Sequence, residues 1–178
     1  MTNIFEVPGD DTSVLFPVPD QQDKASTLTQ TDLNIVLQRV FCEENQRLNK
    51  DQVIVRCDQL PTVFIEESRI AKACSFLLNI ILEQPPEKGK LFIYIRCNLL
   101  KEDIIDLSLP DGAKKYEVLF HTNCFNKPDW KEKYKDLLDY CYQMCIDHGG
   151  SFNYKDNFEG SYLFQLILPG KSIEHATG

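Results

Sequence analysis

The sequence has no excess of positive charge. Its 19 lysines and arginines face 27 aspartates and glutamates, a formal net charge of -8 at pH 7. A nucleic-acid binder carries a basic stripe, and none is visible. Phosphate-rich partners and anionic membranes are disfavoured for the same reason. No apolar run reaches the roughly 18 residues that suggest a membrane span. The first residues have neither the basic start nor the apolar stretch of a secretory signal. Internal repeats and low-complexity tracts are lacking too. Cysteine is plentiful, but its count of seven is odd and the residues are dispersed, several of them inside apolar helical patterns. These absences predict a cytoplasmic protein whose cysteines mostly act as small core hydrophobes. Zinc is the alternative: Cys141 and Cys145 share a helix face with His148 one turn on, but no second cluster completes four ligands.

What is present fits a single domain. The chain has 178 residues, 43% of them hydrophobic and 26% charged, and a chain of this size buries about 70% of its unfolded surface. Residues 1–27, with Pro8, Gly9, Pro17 and Pro19, read as an extension of loop chemistry, with Ser13 to Val18 a candidate edge strand. The folded domain spans 28–170, and 171–178 reads as a frayed tail.

Within the domain, Leu33, Val36, Leu37, Val40 and Phe41 recur with helical period behind Thr31 or Asp32 as cap, predicting a helix that ends near Asn49. Gln52 to Cys57 reads as a strand, and Val63 to Ile65 is a second short apolar run. A helix follows from Glu67, with Ile70, Ala73, Cys74, Leu77, Leu78 and Ile81 as its buried stripe, and Pro85-Pro86 stops it. Leu91 to Cys97 has the apolar character of a central strand covered on both faces. Asp103 to Leu109 is a further strand candidate, Pro110-Asp111-Gly112 a turn, and Glu117 to His121 a strand. A last helix over Asp129 to Asp147 ends at Gly149-Gly150. Ser151 to Lys155 and Tyr162 to Leu168 form a hairpin. The predicted architecture is a two-layer α/β sandwich with a mixed, mostly antiparallel sheet and about three helices on one face.

Several strings, in order, resemble the ATP-binding domain of histidine kinases, a GHKL-family domain with the Bergerat fold. His148-Gly149-Gly150, Gly160-Ser161 and Leu168-Pro169 match the family's closing helix, turn and strand. "TDLNIVLQRVF" resembles its first helix, and "LPTVFIEESRIAKACSFLLNIILEQ" its short strand and the long helix bearing the asparagine motif. The resemblance covers roughly residues 28 to 170.

In that family an asparagine on the long helix ligates Mg²⁺. An Asp-x-Gly-x-Gly turn receives the adenine amino group. A later Gly-x-Gly wraps the phosphates with bare backbone amides. Here the asparagine position falls on Ile80, with Asn79 about 100° away around the helix. The turn after the strand reads His121-Thr122-Asn123-Cys124, without glycine. Tyr134-Lys135-Asp136-Leu137 stands where the phosphate glycines belong, and the loop that forms the family's ATP lid is short. The resemblance thus implies a degenerate member with no intact nucleotide site and no cofactor. Asn79, Ile80, Glu83, His121 and Asn123 are its former-cleft candidates.

The 27 residues ahead of the match hold no histidine to accept a phosphoryl group. His121, His148 and His175 show no nucleophile partner. Glu43-Glu44 and Glu66-Glu67 are sequence neighbours and do not face one another on a helix, so they read as solvated surface. Tyr140, Tyr142, Tyr154, Tyr162 and Phe164 read as core and sheet packing, or in part as an exposed patch for a partner. Trp130 is the candidate contact anchor, with Tyr134 beside it. For Trp130 the alternative is simple packing over the helix start. The expected function is a non-catalytic interaction module in two-component or phosphorelay signalling, a pseudokinase docking on a response regulator or a histidine kinase. An atypical ATP-binding kinase or ATPase domain, and a small-ligand sensor reusing the cleft, are the alternatives.

Overall fold

The structure, a computed structural model, describes residues 29–50, 53–84, 86, 89–101, 113–124, 129–155 and 162–171. Seven strands and five helices follow in chain order among them. Strand β1 (Gln30–Asp32) opens the domain, and Thr31 ties it to the next segment by donating its hydroxyl to the Ile65 carbonyl at 2.5 Å. Asp32 then caps α1 (Leu33–Glu43), its carboxylate accepting the Asn34 amide at 2.8 Å. The side chain of Asn34 both donates to the Leu60 carbonyl and accepts the Leu60 amide, which fixes the following loop against the helix start.

The single helix expected to run to Asn49 is broken. Glu44 has a ψ of 6°, and a separate helix α2 (Asn45–Lys50) starts behind it. The apolar stripe of α1 ends at Phe41, so no buried face draws the helix further along its axis. Strands β2 (Ile54–Cys57) and β3 (Thr62–Phe64) precede the long helix α3 (Glu67–Leu82), whose Ile70, Ala73, Cys74, Leu77, Leu78 and Ile81 are buried as the periodicity required.

Strands β4 (Phe92–Leu99) and β5 (Lys114–Thr122) form the middle of the sheet. A short helix α4 (Trp130–Lys133) leads into α5 (Lys135–Asp147), and β6 (Ser151–Tyr154) and β7 (Tyr162–Gly170) close the fold. The last helix is thus also split, at Tyr134, whose ψ of 16° leaves the helical region. Gly149 follows α5 in the left-handed conformation, φ 73°, the cap its position predicts. Gly150 leaves no room for a side chain, because a Cβ there would meet the Ile167 carbonyl oxygen at 2.0 Å.

The sheet order is β1-β3-β7-β5-β4-β2, with β6 pairing the same side of β7 further along. Every pairing is antiparallel except β2 with β4. Helices α1, α3 and α5 pack side by side, α3 in the middle. Ile93 and Ile95 of β4, Val118 and Phe120 of β5, and Phe164, Leu166 and Leu168 of β7 join these helices in one core. The sequence reading of β4 needs correction. Its burial alternates from Phe92 to Asn98, with Phe92, Tyr94 and Arg96 exposed and Ile93 and Ile95 buried, so only one face is covered there. A polar ladder crosses the uncovered face: Asn98 and Gln165 both donate to Glu117, and Asn153 donates to Gln165 at 3.0 Å. Asn98 with Glu117 and Asn153 with Gln165 are directly opposed cross-strand pairs, and the Gln165–Glu117 link is the diagonal between β7 and β5, where Gln165 stands opposite Leu119.

The expectations for Ser13 to Val18, Asp103 to Leu109, Pro110 to Gly112, the turn at 156–160 and most of the tail fall outside the described residues. Lys171, the first tail residue, donates its amide to the Thr62 carbonyl at 2.9 Å.

Candidate functional site

Three pieces of chain meet beyond the C-terminal end of α3: that helix end, the exit of β5, and the α4–α5 junction. The helix end supplies Glu83. Its carboxylate accepts from the Lys133 ammonium at 2.5 Å and from the Tyr134 hydroxyl at 2.6 Å, and Lys133 also reaches the Tyr134 hydroxyl at 2.8 Å. The ammonium of Lys133 lies 4.6 Å from the Tyr134 ring centroid as well. One turn back, Asn79 accepts a short hydrogen bond from Arg47 of α2, which pairs with Glu44 at 3.0 Å. The break in α1–α2 brings Arg47 here, and the break in α4–α5 turns Tyr134 inward.

The charges within this cluster reinforce one another. The hydrogen bond from Lys133, then that from Tyr134, hold the Glu83 carboxyl below its usual range, with Arg47 adding a smaller contribution. The Lys133 ammonium is stabilised in turn, chiefly by Glu83, so its pKa is pushed up. Burial raises the Tyr134 phenol, and the Glu83 carboxylate raises it further. The cluster is an ion pair bridged by a buried phenol but itself open to solvent, with the Lys133 and Glu83 side chains 53% and 43% exposed. Both donors that converge on Glu83 are already bonded to it, so the carboxylate and the ammonium satisfy each other.

At the β5 exit, Asn123 accepts the Phe92 amide at 2.7 Å and donates to the Lys90 carbonyl at 2.9 Å. This amide clamps the start of β4 to the end of β5. Cys124 is buried, donates to the Ile81 carbonyl at 3.5 Å and forms a β-bridge with Pro86. The chain leaving β5 therefore lies against the end of α3. Among the described residues at this exit, through Cys124, there is no glycine.

Among the former-cleft candidates, the structure brings Asn79 and Glu83 into this cluster. It does not bring Ile80 or His121. Ile80 is 0% exposed, inside the core. His121 pairs across β4–β5 with Tyr94, on the sheet face away from the helices, its ring 6.3 Å from the tyrosine's. Alternation along β5 sends Phe120 to the helix side and His121 to the other.

The two interaction candidates need the same correction. Trp130 is 3% exposed and Tyr134 6% exposed. Trp130 stacks edge-on against Tyr154 at 5.5 Å and Phe164 at 6.3 Å, packing over the helix start and presenting no surface to a partner. The sequence signal missed Lys133 and Arg47, because nothing in their local pattern marks a lysine or arginine that crosses to a distant helix.

The cysteines are all free thiols. Cys74, Cys141 and Cys145 are buried where α3 meets α5, and burial pushes Cys74 and Cys145 up to about 12 and Cys141 higher still. Among the described residues no group of three His, Cys, Asp or Glu side chains gathers as a metal site. His148 Nδ1 lies 2.8 Å from the Met144 carbonyl at the end of α5, the capping role its position suggested, with the proton assigned to Nδ1. His175 lies outside the described residues.

This arrangement of sheet and helices is shared with solved histidine kinase domains. The catalytic domain of histidine kinase ThkA, in a nucleotide-free form, superposes with a TM-score of 0.55 at 19% identity, covering 80% of this chain and 95% of that one. Histidine kinase AdeS from Acinetobacter baumannii gives 0.53 at 14%, covering 81% and 67%. The mycobacterial sensor histidine kinase MprB gives 0.52 at 14%, covering 82% and 99%. No family model and no curated protein matches the chain. At these identities the likeness establishes the fold: the chain has the architecture of a histidine kinase catalytic domain, the Bergerat-type sandwich its sequence resembles. Among the described residues no helix is long and apolar enough to cross a membrane.

Proposed function

We propose that this chain is a protein-interaction module built on the histidine kinase catalytic fold, with a nucleotide cleft that its own side chains fill. It is a pseudokinase, and its place is in two-component or phosphorelay signalling, docked on a response regulator or a histidine kinase. The observation that carries this reading is the Glu83–Lys133–Tyr134 cluster at the end of α3. A triphosphate brings several negative charges and needs unpaired donors to meet them. Here the Lys133 ammonium is paired with Glu83, in an ion pair half open to solvent, and a bulky buried phenol stands where the resemblance calls for glycine. Ile80 in the core supplies no metal ligand, and Asn79 already accepts from Arg47.

The test is a calorimetric titration of the full chain with ATP and Mg²⁺. We expect no saturable heat up to about 1 mM nucleotide, a limit that corresponds to roughly 4 kcal/mol of binding free energy. Saturation in the micromolar range refutes the reading.

A further inference from the structure

Away from the closed cleft, a groove of about 460 Å³ runs between α5 and β6. Leu138, Asp139 and Tyr142 form its helix wall, and Phe152, Asn153 and Tyr154 its strand wall. Strand β6 pairs with β7 on one side and, among the described residues, with no strand on the other. Its register says which backbone groups that leaves. Lys155 donates its amide to the Leu163 carbonyl at 3.1 Å, in register with the Asn153–Gln165 and Ser151–Ile167 pairs. Antiparallel ladders alternate, so the amides and carbonyls of Phe152 and Tyr154 point away from β7.

Protein edges are usually protected by charge, proline or a bulge. The other two end strands each carry a charge, Asp32 in β1 and Arg56 in β2. Strand β6 reads Ser-Phe-Asn-Tyr, with neither charge nor proline. Two large rings line the groove with exposed surface: Tyr142, 53% exposed, and Tyr154 of β6 itself, 39% exposed with Trp130 edge-on at 5.5 Å and the Lys131 ammonium 5.6 Å over its ring. Tyrosines of this kind are enriched at protein interfaces.

We propose that the α5–β6 groove docks an extended peptide segment of a protein partner, which adds as a strand to β6. This rests on the reading of the chain as an interaction module and names the chemistry of what it binds. Side chains alternate along an added strand. Every second one enters the groove beside Leu138 and Tyr142, and an apolar side chain fits there. The charged side chain in the lining is Asp139. A lysine or arginine near the apolar residue meets it, and the net charge of -8 steers cationic segments to the molecule. The same charge argues against a second copy of this chain as occupant, since two acidic bodies repel.

The probe is a fluorescein-labelled octapeptide of alternating leucine and lysine, followed by fluorescence anisotropy against the full chain at physiological ionic strength. We expect saturable binding that Asp139→Lys weakens roughly tenfold or more, a loss expected of a close charge pair. Asp139 is exposed, so that variant folds. Two further peptides carry N-methyl groups on alternate amides, in the two possible registers. Strand addition predicts that one register abolishes binding and the other retains it. Equal binding of both registers overturns the proposal, because it reports mere electrostatic adhesion. So does an absence of saturation below about 1 mM, and so does a concentration-dependent dimer that the peptide does not dissociate. ATP and Mg²⁺ are titrated into the same samples: peptide silence with nucleotide silence removes the groove alone, whereas nucleotide binding removes the module reading.

Discussion

Replacing Ile80 by asparagine would restore the residue that the resemblance places there, and the structure says that it will damage the fold instead of rebuilding a site. Ile80 is fully buried among α3's core positions. Burying an isoleucine side chain is worth about 1.5–3 kcal/mol. The amide that replaces it loses its water without gaining a partner, which costs a further 1–3 kcal/mol or so. Ile80→Asn should therefore destabilise by about 2.5–6 kcal/mol, taking the two effects together. At roughly 2–4 °C per kcal/mol for a chain of this length, that is a fall in Tm of about 5–24 °C. Ile80→Val, which keeps the site apolar, should cost only about 0.5–1.5 kcal/mol. Guanidinium and thermal denaturation followed by circular dichroism measure both, with nucleotide titration on the asparagine variant. If Ile80→Asn is as stable as Ile80→Val, position 80 faces solvent. Should it also gain ATP binding, the cleft is open and the burial argument fails.

Trp130 is the chain's only tryptophan. Its burial against Tyr154 and Phe164 predicts blue-shifted emission and little quenching by iodide, and Trp130→Ala should cost about 3–5 kcal/mol; a red, freely quenched emission would put the ring at the surface. Acid titration tests the ion pairs. Glu83 and Asp147 both have carboxyls held below their ordinary values, first by hydrogen bonds from Lys133 and from Arg69. A depressed folded pKa stabilises above the unfolded value and is lost as pH falls through the folded one. Stability should therefore be flat above about pH 5 and decline below about pH 4.5, near the ordinary carboxylate pKa, with the decline reduced in Glu83→Gln when followed by denaturation midpoints. Thiol labelling should find Cys42 first; Cys57, equally exposed but with its thiol pushed up to about 11 by local desolvation and by Asp58, should follow, and the half-buried Cys97, also raised to about 11, should be slower still. Cys74, Cys141 and Cys145 should react only on unfolding, and labelling of that trio in the native state would contradict their packing between α3 and α5.

The amino-acid order by itself determined the periodic elements. Apolar spacing placed the buried stripes of α1 and α3, Gly149 placed the end of α5, and the two segments around residue 158 paired as the expected hairpin. These signals are local: a helix face or a left-handed cap is decided by residues within one or two turns. Tertiary structure alone decided the rest. Whether β4 is covered on one face or two depends on which elements stack against it, and an apolar run does not say. Whether Trp130 anchors a partner or packs beneath Tyr154 depends on a strand more than twenty residues away. The Glu83–Lys133 pair joins residues fifty positions apart, so it exists only once α3 and the α4–α5 junction have been brought together by the core.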